Sequence, residues 1–160
     1  MTPLQDYAGP LLRAYPELRP RWNDAGDELH LRKTDAQGYD IRVSMDKHTL
    51  YLFVEHGYDD HWRHHDPQAL QGNLDLVFGL VRDLLSPKMR LRALLSNGLA
   101  FRWLLERRER DCWECESSVG LLFWSYFGRR SEAIYVNRVL PARGFPEDTK
   151  RSAKHGDSDA

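Results

Sequence analysis

Between Asp66 and Pro87 the chain carries the pattern that most restricts its fold. Asp66 can cap a helix with its side-chain oxygen, and Pro67 suits the first helical position, where no backbone N–H is needed. Leu70, Leu74, Val77, Phe78, Val81, Leu84 and Leu85 then recur at helical spacing, while Asp75, Arg82 and Asp83 fall away from that stripe. Ser86-Pro87 stops the run. The spacing predicts one amphipathic helix over about 67–85, roughly five turns long. Its apolar stripe needs a covering layer, and the rest of the chain indicates a sheet.

Most of the flanking sequence alternates with a period of two, as half-buried strands do. Leu29 to Arg32, Tyr39 to Met45 and Leu50 to Glu55 predict three strands in an antiparallel meander, with turns at Ala36-Gln37-Gly38 and Asp46-Lys47-His48. After the helix, Met89 to Leu95 and Leu99 to Glu106 alternate on either side of Ser96-Asn97-Gly98. Further strands are expected at Cys112 to Ser117, Leu121 to Phe127 and Glu132 to Leu140. Near the N-terminus, Pro10 and Pro16 interrupt the apolar positions from Leu4 to Leu18, which limits that segment to one or two short helical turns. The expected class is α+β: an antiparallel sheet in two strand groups with one long helix packed on it. Residues 1–145 are expected to form a single globular domain. Residues 146–160 hold no large apolar side chain and are expected to form a disordered tail.

Register after the helix follows from keeping large apolar residues on one face. A two-residue Asn97-Gly98 turn would set Ala93 against Arg102 and Arg92 against Trp103, mixing the faces. A three-residue loop with Gly98 left-handed, followed by a bulge, avoids this and is the predicted arrangement. It places Arg92 opposite Arg102, a repulsive pair that needs an anion between them. Glu116 is the predicted anion, and the carboxylate or phosphate of a small acidic ligand is the alternative. If Arg107 to Asp111 closes the next hairpin, Trp113 falls opposite Leu105 and Cys115 opposite Trp103, in the core. Cys112 and Cys115, three apart on a strand, then face opposite ways and cannot share a metal or a disulfide.

A chain of 160 residues with 41% hydrophobic content can bury a core without staples. Its net charge of −1 supplies no field for nucleic acid or anionic lipid, so neither is an expected partner. The longest apolar run, Gly120 to Trp124, is far short of the roughly 20 residues of a membrane span. No basic stretch leads into an apolar run at the N-terminus, and no signal peptide is expected. With only 2 cysteines, a disulfide scaffold is not expected either, and a reducing, cytoplasmic setting is.

One stretch stands out for chemistry. His56 to Asp66, HGYDDHWRHHD, holds four of the chain's 7 histidines and three aspartates. It is expected to be a connection between a strand end and the helix cap, anchored by Trp62. His61, His64 and His65 are spaced so that a helical turn could align two of them, and with Asp59 or Asp60 they form a candidate metal set for zinc, iron or nickel. No recognised ligand motif completes that set, and no cofactor is expected. The nucleophile-elbow, phosphate-loop and dinucleotide motifs are also absent from the sequence. Large apolar residues on both faces of Leu121 to Phe127 call for cover on two sides. Either the N-terminal segment supplies the second cover, or Trp124 and Tyr126 meet a partner.

His61-Trp62-Arg63-His64-His65 ahead of a helix ending Val81-Arg82-Asp83-Leu84-Leu85-Ser86, then Phe101-Arg102-Trp103-Leu104-Leu105-Glu106, Gly120-Leu121-Leu122-Phe123 and Tyr135-Val136-Asn137-Arg138, form a recurring order. Over Tyr39 to Leu140 the chain resembles small bacterial α+β proteins, among them immunity proteins of toxin systems, which bind and block one toxin. The resemblance implies a non-enzymatic cytoplasmic module that inhibits another protein. A protein partner is therefore expected, with a second copy of the chain as a further candidate. The resemblance assigns no residue; the surplus aromatic surface and the histidine cluster make Trp62, His61, His64, His65, Trp124 and Tyr126 the expected partner-binding residues. Two alternatives stand beside it: a small metal-dependent hydrolase or metal-binding protein using His61, His64, His65, Asp59 and Asp60, and a carrier whose Arg92 and Arg102 meet an acidic ligand.

Overall fold

A computed structural model of the chain describes residues 1–120 and 128–141. The strand expected at Leu121 to Phe127, with Trp124 and Tyr126, and the tail expected at 146–160 lie outside the described residues. The fold is α+β, with two antiparallel sheets and, among the described residues, two helices.

The helix expected near 67–85 is α2, Pro67–Leu84, and Asp66 caps it by accepting a hydrogen bond from the Ala69 backbone N–H at 2.7 Å. Its buried face is Leu74, Val77, Phe78, Val81 and Leu84, which lie on the predicted stripe. A second helix corrects the reading of the N-terminus. Helix α1 runs unbroken over Pro3–Ala14, with Pro10 inside it. Thr2 and Gln5 form a reciprocal capping box, and Leu4, Ala8 and Leu11 bury one face. Pro10 denies a hydrogen bond to the Asp6 carbonyl, but both residues lie on the exposed side, where water can satisfy it. Burial on the opposite side outweighs that local cost. Pro16 acts as expected: Tyr15 leaves the helical region (φ −131°, ψ 78°) and the helix ends.

The first sheet contains β1 (Pro20–Trp22), β2 (Glu28–Leu31), β3 (Ile41–Met45), β4 (Thr49–Val54) and β5 (Tyr58–Arg63), in that spatial order. The meander β2-β3-β4 is the predicted one, and β1 and β5 extend it on either side. Leu29, Leu31, Ile41, Val43, Leu50, Leu52 and Val54 point to the helices and are fully or almost fully buried. The alternate positions, among them His30, Arg42, Tyr51 and Phe53, form the outer face.

The second sheet contains β6 (Met89–Ser96), β7 (Leu99–Glu109), β8 (Cys112–Gly120) and β9 (Arg130–Tyr135), in the order β8-β7-β6-β9. Strand β9 starts two residues earlier than expected and stops at Tyr135 instead of Leu140. Met89, Leu91 and Leu105 join the helices and the first sheet in one core cluster. The chain after β9 closes that core. Buried Asn137 accepts from the Tyr39 N–H and donates to the Tyr39 carbonyl, at 3.2 and 3.1 Å. The N–H groups of Val139 and Leu140 both donate to the Leu85 carbonyl.

Register in the second sheet departs from expectation at both hairpins. The β6–β7 turn has two residues, Asn97 and Gly98, both with positive φ, and Ser96 pairs with Leu99. A bulge does exist, but in the strand: the register shifts between Leu94 and Leu95, so that Leu94 meets Arg102 and Ala93 meets Trp103. Leu91, Ala93, Trp103 and Leu105 still share the core face, whereas Leu94 and Leu104 fall on the face that carries the arginines. Arg92, however, stands opposite Leu104, not Arg102. At the next hairpin β7 continues to Glu109 and the turn is only Arg110-Asp111. Trp113 therefore meets Arg108, and Cys115 meets Glu106. Cys115 is exposed, contrary to the expected core position, as is Cys112. Pairing with Glu109 and Glu106 keeps the two sulfurs on opposite faces.

Candidate functional site

The histidine-rich stretch is a strand, not a connection. Tyr58–Arg63 pairs along its whole length with β4, and its charges suit an edge strand, where they discourage pairing with other chains. Alternation then divides the candidate residues. Asp59 and His61 pair with Phe53 and Tyr51 and share the outer face of the first sheet. Tyr58, Asp60 and Trp62 pair with Val54, Leu52 and Leu50 and share the inner side. His64 lies beyond the strand end, 7% exposed, and its Nε2 has no hydrogen-bond partner among the described residues. His65 is exposed ahead of the α2 cap. The proposed ligand set is thus spread over different surfaces. Among the described residues no group of three or more His, Cys, Asp or Glu side chains is placed to hold a metal ion.

The two arginines of the ligand-carrier alternative are engaged within the chain. Glu106, 3% exposed, lies between Arg90 Nε at 2.5 Å and Arg92 Nη2 at 2.6 Å. Arg92 also reaches Glu132 at 3.3 Å, and Arg102 donates to the Ser118 hydroxyl at 3.1 Å. Glu106, not Glu116, is the anion among these arginines, because the bulges shift the pairing. Trp113 closes the cluster by packing its ring 4.1 Å from the Arg90 guanidinium carbon.

The inner side of β5 meets the second sheet at a junction. His56, at the tip of the β4–β5 hairpin, stacks on Trp103 with ring centroids 3.8 Å apart and planes 6° from parallel. Gly57 (φ 105°) lets the hairpin approach β8: a Cβ there would lie 3.2 Å from Val119 Cγ1. Beside this junction a groove of about 540 Å³ opens between β5, α2 and strands β6 to β8. Trp62, Leu80, Met89 and Leu105 give it an apolar floor. Leu76 on the α2 side is 55% exposed, and nothing lies within 4 Å of a Cβ built on Gly79.

Carboxylates line the rim. Arg107 spans two of them, with Nη1 2.5 Å from Asp83 and Nε 2.7 Å from Glu116. Burial works against the Arg107 charge, but the hydrogen bonds to Asp83 and Glu116 outweigh it and its pKa is raised. Burial also pushes the Tyr58 hydroxyl up to about 12, helped by the charges of Asp60 and Glu116. The other two carboxylates are Asp60 and Asp75, and Asp75 accepts a hydrogen bond from the Tyr7 hydroxyl. Neither forms an ion pair among the described residues.

Of the expected partner-binding residues, Trp62 lies in this groove, while His61, His64 and His65 lie outside it. Sequence reading overlooked Leu76, although the signal was present as an apolar side chain off the helix stripe. Glu116 and Arg107 could not be placed without the bulges. Comparison with family models, with curated proteins and with solved structures found no match. No helix among the described residues is long and apolar enough to cross a membrane.

Proposed function

We propose that this chain is a non-enzymatic, cytoplasmic protein-binding module, an immunity-like inhibitor of another protein, and that its partner docks in the groove between β5, α2 and the second sheet. The observation that carries this reading is the pairing of half-buried Trp62 with exposed Leu76 across an open apolar floor. A large aromatic at the centre of an apolar patch with a charged rim is the usual composition of a protein–protein contact. The reading retains Trp62 from the sequence-based set and moves the histidines away from the contact.

The test compares capture by wild-type protein and by Leu76→Gln from extracts of cells that express the chain. A protein retained stoichiometrically by wild type should bind the variant at least about tenfold more weakly, the value of burying one leucine. Circular dichroism should be unchanged, because Leu76 is not a core residue. Retention that ignores the substitution, or no retained protein at all, would count against the groove.

A further inference from the structure

The geometry points to a basic segment of a partner protein as the occupant of this groove: an apolar side chain seated between Trp62 and Leu76, flanked by arginine or lysine. The inference rests on the protein-binding reading and adds the chemistry of the partner. It starts from the charge of the walls. Four carboxylates surround the apolar floor, and one guanidinium, that of Arg107, stands among them. Arg107 already shows what the rim accepts, since its planar head is shared between Asp83 and Glu116. Asp60 and Asp75, on β5 and α2, have no ion-pair partner among the described residues. An acidic or neutral segment entering here would add repulsion or leave these charges partly desolvated. A basic one would neutralise them.

The floor narrows the choice further. A purely cationic strand would leave Leu76 and the Trp62 ring exposed to water, whereas one apolar anchor covers both. The uncovered position at Gly79 gives that anchor a way past the helix backbone. Among the described residues, the cleft on the outer face of the first sheet lacks an open apolar floor of this kind. It also carries four carboxylates, Glu28, Asp40, Glu55 and Asp59, but Arg42 lies over Phe53 and covers its ring, and His30 pairs with Asp40.

The probes are three blocked pentapeptides: alternating arginine and leucine, arginine and serine, and glutamate and leucine. Each is titrated into isotopically labelled full-length protein while backbone amide shifts are followed by NMR. The expected result is saturable shifts at Asp60, Trp62, Asp75, Leu76 and Gly79 with the arginine–leucine peptide only. Affinity should fall as salt rises, because the rim pairs are partly solvated. Asp60→Asn and Asp75→Asn should each weaken it about threefold, the scale of an exposed ion pair, and about tenfold together. Equal binding of the glutamate peptide or of the arginine–serine peptide, or shifts centred elsewhere, would overturn the inference. If the natural partner is lost with Leu76→Gln yet indifferent to Asp60→Asn/Asp75→Asn, the groove binds a protein of other chemistry. In that case the inference fails and the binding reading stands.

Discussion

The two sheets solve the same problem in different ways. The first sheet sets one face against two helices, and the buried positions on that face are aliphatic from β2 through β4. Its opposite face is open and polar. Among the described residues the second sheet has fewer strands but longer ones, and its face away from the core carries Arg90, Arg92 and Glu106 instead of a simple polar surface. In the first sheet a one-residue slip would turn every aliphatic side chain out of the core, so hydrophobic burial holds the register. In the second sheet, bulges in β7 and β8 reset the register midway, and a buried ion cluster depends on where they fall. Apolar alternation is therefore enough to specify one sheet, whereas the other also depends on electrostatic matching.

The sharpest way to break that contrast is at Glu106. Glu106→Gln leaves Arg90 and Arg92 without their shared counter-charge in a largely buried position, and should cost about 3 kcal/mol in urea unfolding. Glu116→Gln removes a partner of Arg107 at a solvated rim, and should cost less than about 1 kcal/mol. The opposite order would restore the register in which Glu116 sits among the arginines. Next in size is Asn137→Leu, which strips two hydrogen bonds from the buried backbone of Tyr39. It should cost about 2 kcal/mol and loosen the attachment of the second sheet's final strand to the first sheet. Hydrogen exchange at Tyr39 and Val136 would report it.

The smallest effect is a pH dependence. The Tyr58 hydroxyl holds its proton more tightly in the folded chain (about 12) than in the unfolded one (about 10). Its contribution to stability is thus complete below about pH 10 and is lost as pH rises through about 12. The urea midpoint of wild type should fall over that window, and Tyr58→Phe should fall less. An identical alkaline profile for both proteins would mean that Tyr58 is not held in the junction as described.

This contrast also explains what could be read from the residues. Helix α2, its Asp66 cap and the β2-β3-β4 meander were legible because local signals and burial agree there. Helix α1 was not, because Pro10 is a strong local breaker whose cost is removed by its position on the solvent side. Strand β5 was hidden by aspartates and histidines of low strand propensity, although Tyr58 and Trp62 sit on one face of it. In the candidate site, Trp62 was visible as an anchor and Leu76 only as an unexplained departure from the helix stripe. Asp60 was visible, but as a metal ligand. Neither its face of the strand nor its proximity to Asp75 and Glu116 could be known before the hairpin tip at His56 was seen stacked on Trp103.

The most direct test uses the two sides of β5 against each other. A photo-crosslinking amino acid is placed at Leu76 in one protein and at His61 in another, and both are irradiated in cells that express them. A groove that receives the partner predicts a discrete adduct from position 76 and none from position 61, which faces away across the first sheet. An adduct from position 61 alone would move the contact to the outer face and contradict the account.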